Sequence, residues 1–137
     1  MILLDTCALL WLAAGHAPRA GVTEEIEDAR SEDAVLVSPI SAWEIAQKER
    51  KLPGRLGLTG APLEVFHRIL RWHGVRVAAL TPEILTESVA LEGLGTEDPV
   101  DRIIVATSIA HRARLLTADK RMLAYPAVVA MDYGRPA

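Results

Sequence analysis

Short uninterrupted apolar runs alternate with longer amphipathic segments along the chain. The apolar runs predict five β-strands, over residues 1–4, 34–38, 75–79, 115–117 and 128–131. The amphipathic segments predict seven helices, over residues 6–14, 23–30, 41–51, 62–73, 82–92, 99–112 and 120–124. Strands without polar alternation are typical of sheets that helices cover on both faces. The alternation therefore predicts an α/β protein with a parallel sheet between two helical layers.

Capping residues mark the predicted starts of three helices. Thr81 and Asp98 each precede a proline, an arrangement that favours the first turn of a helix. Ser41 and Glu44 have the spacing of a capping box, which would start the third helix at residue 41. Local signals and periodicity thus agree on where these helices begin.

The chain has the size and composition of one globular domain, which we predict to span residues 1–137. Its single cysteine, Cys7, excludes an intrachain disulfide and suits a reducing compartment. The apolar start is not expected to be a signal peptide, because no basic residue precedes it and Asp5 interrupts it. Its apolar piece is also too short to cross a bilayer. We therefore expect a cytoplasmic protein without a membrane segment.

The net charge of −3 argues weakly against a nucleic-acid-binding protein, because such domains are usually basic. The charge is uneven, however, since Lys48, Arg50, Lys51 and Arg55 lie close together along the chain. Most such runs are solvated helix faces. A local basic patch can nevertheless contact a phosphate backbone, and Lys48, Arg50 and Lys51 are the candidates for this role.

Acidic residues stand where predicted strands end and helices begin. Asp5 ends the first strand, Asp119 follows the fourth strand, and Glu44 lies in the first turn of the third helix. Asp98 and Asp101 begin the sixth helix, which reaches the same edge only if the preceding connection brings it there. Ligands of open α/β sheets bind beyond the carboxyl ends of the strands. This edge is therefore the predicted site.

Each acid alone is explained more simply as a helix cap or as a charge facing a helix dipole. As a set, without a basic partner in their motifs, the acids would repel one another. Two carboxylates about 4 Å apart repel by roughly 4 kcal/mol at an effective dielectric of about 20. A hard divalent ion, Mg²⁺ or Mn²⁺, would relieve this repulsion and support attack on a phosphodiester. The cysteine and histidines do not have the spacing of a zinc site.

Four short motifs contain these acids and occur in order along nearly the whole chain. They are LLDT with ALLW at residues 3–11, SPISAWE at 38–44, DPVDRIIVAT at 98–107 and LLTAD at 115–119. Each motif is weak by itself. Together they resemble the PIN-domain family, and in particular its VapC-type toxins.

The resemblance implies a three-layer α/β/α fold with a five-stranded parallel sheet in the order 3-2-1-4-5. The acids at the positions of the family's catalytic site are Asp5, Glu44, Asp101 and Asp119. All of them except Glu44 match the positions of metal ligands. The metal that the resemblance implies is Mg²⁺, for which Mn²⁺ can substitute. Asp98 is also typical of the subgroup, so the sequence leaves open whether Asp98 or Asp101 lies closer to the metal. Thr6 and Thr117 match polar positions that support the site.

The activity implied by the resemblance is hydrolysis of single-stranded RNA by metal-activated water, which makes the chain an endoribonuclease. The implied protein partner is a small VapB-like antitoxin whose C-terminal tail covers the site. Family members usually form homodimers, and their complexes can be dimers of toxin–antitoxin heterodimers. Every acid of the motifs is present in this chain, which favours an active enzyme.

Several side chains near the acids have competing explanations. Trp11 and Trp43 could stack bases or seat an antitoxin helix, but core packing is the favoured explanation. Cys7 is expected to be a small buried residue rather than a nucleophile. Arg102 directly follows Asp101 and is expected to hold RNA phosphate or to pair with a neighbouring acid.

Other classes with a layered α/β architecture fit the sequence less well. A phosphoacceptor receiver domain needs an acid after the third strand, where residues 77–81 read VAALT. A phosphatase with an aspartate nucleophile needs an Asp-x-Asp motif, whose second acid would here be Cys7. A non-catalytic module that keeps the PIN fold and acts only through its protein partner stays open.

Overall fold

The computed structural model describes residues 1–136, and within them it contains a five-stranded parallel sheet. The strands are β1 (Ile2–Leu4), β2 (Val35–Val37), β3 (Val75–Val77), β4 (Arg114–Thr117) and β5 (Ala130–Asp132). They lie in the order β3-β2-β1-β4-β5, and each neighbouring pair is parallel. The predicted class and strand order are confirmed. The predicted domain ends at Ala137, which lies outside the described residues.

Helices connect the strands, and the seven that were predicted are all present within residues 1–136. They are α1 (Thr6–Ala13), α2 (Val22–Ser31), α3 (Pro39–Lys51), α4 (Pro62–Leu70), α5 (Pro82–Ala90), α6 (Pro99–His111) and α7 (Lys120–Leu123). In this part of the chain no helix is both long and apolar enough to cross a membrane.

Alternate side chains of each central strand serve two separate apolar layers. Ile2 and Leu4 of β1 pack with apolar residues of α1 to α4 on one face of the sheet. Leu3, between them, packs with apolar residues of α6 and α7 on the other face. Successive side chains of a strand point to opposite faces, so a fully apolar strand stabilises both layers. Each of these buried side chains contributes roughly 1.5–3 kcal/mol.

Helix α3 begins earlier than the capping box predicted. Pro39 occupies its first turn, and Ser38 is the cap, whose Oγ accepts a hydrogen bond of 3.2 Å from the Ile40 amide. The prediction of a Ser41–Glu44 capping box is wrong, because a proline is already suited to the first helical position. Glu44 consequently lies in the second turn of α3, beyond the reach of the free N-terminal amides.

Helix α4 ends at Leu70, three residues before its predicted end, because the chain must turn into β3. Gly74 makes this turn with a φ of +82° and approaches the backbone of α2 closely. A Cβ atom at Gly74 would lie 1.9 Å from the Arg30 carbonyl oxygen, so only glycine fits.

Strand β5 begins two residues later than predicted, because residues 125–128 form a turn. The Val128 amide closes this turn by donating a hydrogen bond of 3.3 Å to the Tyr125 carbonyl oxygen.

Candidate active site

The carboxyl ends of β1 and β4 open onto a pocket with an acidic lining. Its carboxylates come from Asp5, Glu44, Asp98, Asp101 and Asp119. Its basic side chains are Lys48, Arg121 and Arg135. The connection before α6 therefore does bring the first turn of that helix to the edge where β1 and β4 end. The structure brings all the sequence-predicted acids into one pocket.

Asp5 is buried at the end of β1, where it also caps α1. Its Oδ1 accepts a hydrogen bond of 2.8 Å from the Ala8 amide, and its Oδ2 accepts one of 2.5 Å from Thr117 Oγ1. The pKa of Asp5 is raised to about 6, chiefly by burial and to a smaller extent by the charges of Glu44 and Asp119, while its two hydrogen bonds lower it. The hydrogen bonds thus hold this carboxylate in a fixed orientation, while its burial favours protonation unless a cation is near.

Two threonines that were predicted to support the site connect its elements. Thr117 Oγ1 accepts a hydrogen bond of 3.0 Å from the Asp119 amide, in addition to its bond with Asp5. Thr6 Oγ1 lies 3.0 Å from Ser41 Oγ, which joins the start of α1 to the helix that carries Glu44. These buried hydroxyls have partners in the protein, as buried polar groups require.

Asp101 projects into the pocket from α6 and is held by a residue that the sequence analysis missed. Thr96 Oγ1 donates a hydrogen bond of 3.4 Å to Asp101 Oδ2 and accepts one of 3.1 Å from the Asp98 amide. Burial raises the pKa of Asp101 to about 6, and the charges of Asp98, Asp119 and Glu44 add to this effect. Thr96 could have been found from its place two residues before a helix-capping aspartate.

Asp98 differs from Asp101 in exposure and in its hydrogen bonds. It is exposed and is the cap of α6, since its Oδ1 accepts a hydrogen bond of 2.9 Å from the Val100 amide. Asp101 is half-buried and does not serve as a cap. Both acids line the pocket, and of the two Asp101 is the less exposed.

Arg121 is a basic partner inside the acidic set. Its Nη2 lies 2.7 Å from Asp119 Oδ2 and 3.3 Å from Asp101 Oδ2, and its Nε donates to Asp119 Oδ1 at 3.1 Å. These hydrogen bonds hold the pKa of Asp119 below its usual range. The acids therefore do have a basic partner, although it lies outside their motifs, because Arg121 stands two residues beyond the LLTAD motif.

The donor set has the chemistry of a site for a hard divalent cation. Carboxylate oxygens are the ligands that Mg²⁺ and Mn²⁺ prefer, and the pKa values of Asp5 and Asp101 are raised chiefly by burial, with a further contribution from neighbouring carboxylates. Within residues 1–136 no three acidic, histidine or cysteine side chains stand in the arrangement of a metal site. Instead, Arg121 is bonded to two of the carboxylates.

The predicted phosphate-binding side chains lie in different surroundings. Lys48 lines the pocket, with its Nζ 3.7 Å from Glu44 Oε2. Lys51 lines an adjoining groove beside Trp43, and Arg50 is exposed elsewhere on α3.

Arg102 is committed to the protein backbone. Its guanidinium donates to the carbonyl oxygens of Ser88, Val89, Leu91 and Thr96 at 2.5–3.2 Å. The prediction that Arg102 holds phosphate or pairs with Asp98 or Asp101 is wrong, because these carbonyls use its donors. Its role is to fix the connection between α5 and α6, which carries Thr96.

Two further expectations about burial are corrected. Trp43 is 55% exposed, so it does not pack in the core, whereas Trp11 is half-buried with its ring 5.1 Å from that of Tyr133. Cys7 is exposed at the pocket rather than buried. Although the residue is exposed, desolvation of its thiol by the surrounding pocket and the charge of Asp5 raise the pKa of Cys7 to about 11, which makes it a poor nucleophile.

A parallel sheet in this order, with carboxylates gathered where its central strands end, defines an α/β protein with a candidate divalent-cation site. The PIN domain family matches residues 2–128 of the chain. Ribonuclease VapC22 of Mycobacterium tuberculosis is 33% identical over 122 residues, which are 88% of this chain and 88% of that protein. The chain therefore belongs to the PIN-domain family, in its VapC group, as the motifs predicted.

Solved structures with the same fold are VapBC proteins and toxin–antitoxin complexes. VapBC2 from Rickettsia felis, bound to a DNA fragment from its promoter, has a TM-score of 0.70 and 16% identity, and covers 98% of this chain and 100% of that one. A toxin–antitoxin complex from Klebsiella pneumoniae has a TM-score of 0.61 and 23% identity, and the match covers 94% of this chain and 96% of that one. At these identities the similarity establishes the fold alone.

Proposed function

We propose that this chain is an endoribonuclease that cleaves single-stranded RNA with a divalent metal ion and acts as the toxin of a toxin–antitoxin pair. The observation that carries the proposal is the pocket in which carboxylates from four separate segments lie together. The similarity to a ribonuclease, VapC22, over 88% of the chain supports RNA as the substrate class.

Asp5, Asp101 and Asp119 are the residues that would hold the ion, with Glu44 beside them. Mg²⁺ is the expected ion and Mn²⁺ a substitute, because all the donors are hard oxygens. When bound, such an ion lowers the pKa of a water molecule and neutralises charge on the phosphate. The pKa values of about 6 for Asp5 and Asp101 fit this role, because a cation stabilises the ionised form that burial disfavours.

The chain's own side chains orient the acids and meet the substrate. Thr117 and the Ala8 amide fix both oxygens of Asp5, while Thr96 holds Asp101. Lys48, Lys51 and Arg50 provide positive charge along α3 for the RNA backbone. The half-exposed Arg121 guanidinium would turn to the phosphate once an ion takes the Asp119 and Asp101 oxygens to which it is bonded.

We further propose a small VapB-like antitoxin as the protein partner. The chain would act as a homodimer or within a dimer of toxin–antitoxin heterodimers. The structures with the same fold are of VapBC proteins and of a toxin–antitoxin complex, which supports this partner class. The proposed compartment is the cytoplasm, where RNA is available and where a lone cysteine stays reduced.

Cleavage of labelled single-stranded RNA, with Mg²⁺ and with excess EDTA, tests the activity. We expect cleavage only with the metal and its loss in Asp101→Asn, whereas the exposed-acid control Asp28→Asn cleaves like the wild type. RNA left intact by a folded, antitoxin-binding protein at every metal condition would contradict the nuclease proposal and favour the non-catalytic module.

A further inference from the structure

Helix α3 has two adjacent rows of side chains at the edge of the acidic pocket. Glu44 and Lys48, four residues apart, line the pocket itself. Trp43, Gln47 and Lys51, also spaced by four, form a second row on the neighbouring face of the helix. Trp43 is 55% exposed, which is unusual for the residue with the largest apolar side chain. The helix thus carries an uncovered indole directly beside the candidate active site.

The second row lines a groove between α3 and the first turn of α6. We call it the Trp43 groove and define it by Trp43, Gln47, Lys51 and Pro99. It is continuous with the acidic pocket, because the two share the lining residues Glu44, Lys48, Asp98 and Val100. A strand that passes through the pocket can therefore extend along this groove without leaving the surface.

We propose that the Trp43 groove binds one unpaired base of the RNA next to the cleaved phosphate. This inference rests on the proposed ribonuclease function. The exposed indole offers a stacking face for a base, which is the usual way in which proteins hold single-stranded RNA. Lys51, which makes no ion pair within residues 1–136, is free to contact the adjoining phosphate.

Gln47 gives the groove a means of distinguishing bases. Its amide both donates and accepts hydrogen bonds, and it lies on the same face of α3 as the indole, between Trp43 and Lys51. A base stacked on Trp43 would present its polar edge to the groove wall. The proposed specificity-determining residue for the base beside the cut is therefore Gln47.

The composition of the groove favours RNA over a protein segment. Lysines are depleted in protein–protein interfaces, whereas they are frequent where a phosphate backbone lies. Here lysine and glutamine flank the indole, and the carboxylates of the groove, Glu44 and Asp98, lie where it joins the acidic pocket. An antitoxin segment or a second copy of this chain on the same face is the alternative that the experiment separates.

RNA affinity in the Asp101→Asn background, which prevents cleavage, measures the stacking contact. The probe is a short fluorescein-labelled single-stranded RNA of mixed sequence, followed by anisotropy with Mg²⁺ present. Trp43→Ala should weaken binding about 5- to 150-fold, the range for one stacked base, and Trp43→Phe should retain most of the affinity. Trp72 lies just before β3, at the amino end of that strand and away from the pocket. Trp72→Phe should therefore bind RNA as tightly as the Asp101→Asn protein.

Salt dependence tests the proposed contact of Lys51 with phosphate, and sequencing of the cut sites tests the proposed contact of Gln47 with the base. Lys51→Gln should lower the slope of log affinity against log salt by about 0.7, whereas Arg71→Gln, with the same charge change at the opposite edge, should not. Gln47→Ala, in the cleaving enzyme, should broaden the base preference beside the cut.

Unchanged RNA affinity and cut sites in a folded Trp43→Ala protein would overturn the base-binding proposal, while wild-type cleavage would leave the nuclease function standing. The same variant losing antitoxin binding or dimer formation, with RNA affinity intact, would assign the groove to a protein and also overturn it. A wild-type protein that neither binds nor cleaves RNA would remove both proposals.

Discussion

Thr117 Oγ1 donates a hydrogen bond of 2.5 Å to Asp5 Oδ2, although the two residues stand 112 positions apart in the chain. They meet because β1 and β4 are adjacent and parallel, so that their carboxyl ends share one edge of the sheet. The same hydroxyl accepts from the Asp119 amide at 3.0 Å. One side chain therefore positions two of the proposed metal ligands.

Thr117→Val should weaken metal binding while keeping the shape of the core. Without the hydroxyl, the buried Asp5 carboxylate lacks a donor, so its pKa rises further above about 6 and the ionised form becomes rarer. Calorimetric titration with Mn²⁺ should show lower affinity near neutral pH and a smaller deficit at about pH 8. The loss of stability should be about 1–3 kcal/mol.

Thr107→Val is the matched control for this variant, because Thr107 is equally buried but bonds to the Ile103 carbonyl within α6. It should bind Mn²⁺ like the wild type. An equal loss of affinity in the two variants would show that Thr117 acts only through general stability.

Asp5→Asn should stabilise the metal-free protein at neutral pH. The folded pKa of about 6 exceeds the unfolded value of about 3.9, so the native state binds more protons between these values. Its stability therefore falls as pH rises from about 4 to about 6, and asparagine removes this fall. Urea unfolding in EDTA measures the free energy of unfolding of both proteins. The value for the variant minus that for the wild type should rise by up to about 3 kcal/mol between pH 4 and pH 7.

The exposed-acid control Asp28→Asn should follow the pH dependence of the wild type. A difference between Asp5→Asn and the wild type that is the same at both ends of this pH range would contradict the raised pKa. The same Asp5→Asn protein should have lost RNA cleavage, because it lacks a proposed metal ligand.

Arg121→Gln should strengthen the binding of Mn²⁺. The guanidinium is bonded to Asp119 and Asp101, so an incoming cation must compete with it for these oxygens. Without Arg121, the hydrogen bonds that lower the pKa of Asp119 are lost, and metal-free carboxylates repel one another more strongly. Thermal melting should therefore show a larger Mn²⁺-induced rise in midpoint than for the wild type.

Lys120→Gln, an adjacent change of the same charge, should leave the Mn²⁺ response at the wild-type level, because Lys120 does not line the pocket. Weaker Mn²⁺ binding in Arg121→Gln would instead mean that Arg121 helps to assemble the ligands.

Arg102→Met should destabilise the fold by about 1–3 kcal/mol. The variant keeps the length of the side chain but leaves carbonyls of residues 88–96 without their donor. Chemical unfolding measures the loss, with Arg112→Met as an exposed control. If RNA binding falls in Arg102→Met without any loss of stability, Arg102 contacts the RNA after all.

Periodicity and local composition were sufficient for the architecture. The apolar run at residues 1–4 predicted a doubly covered strand, and Thr81 and Asp98 predicted helix starts, because both signals depend on neighbours in the chain. The helix containing Ser41 was predicted to begin two residues too late, since two capping signals competed there and Ser38 with Pro39 prevailed.

The acids of the site could also be found in the sequence, because strand ends and helix starts of a parallel sheet converge on one edge. What surrounds them could not. Trp43 looked like a core residue by its type, and Arg102 looked like a site residue by its position beside Asp101. Exposure and hydrogen-bond partners depend on which helix lies opposite, and the order of residues does not contain this information.

The sequence by itself determined the elements, the parallel sheet and the candidate carboxylates, because these follow from short-range patterns and from motifs of the family. Only the tertiary structure decided which oxygen of Asp5 the predicted Thr117 contacts, that Thr96 holds Asp101, that Arg121 lies among the carboxylates, and that Trp43 is exposed beside the pocket. The reason is physical: these contacts join segments that are distant in the chain, and their geometry exists only after β1, β4 and α6 have packed together.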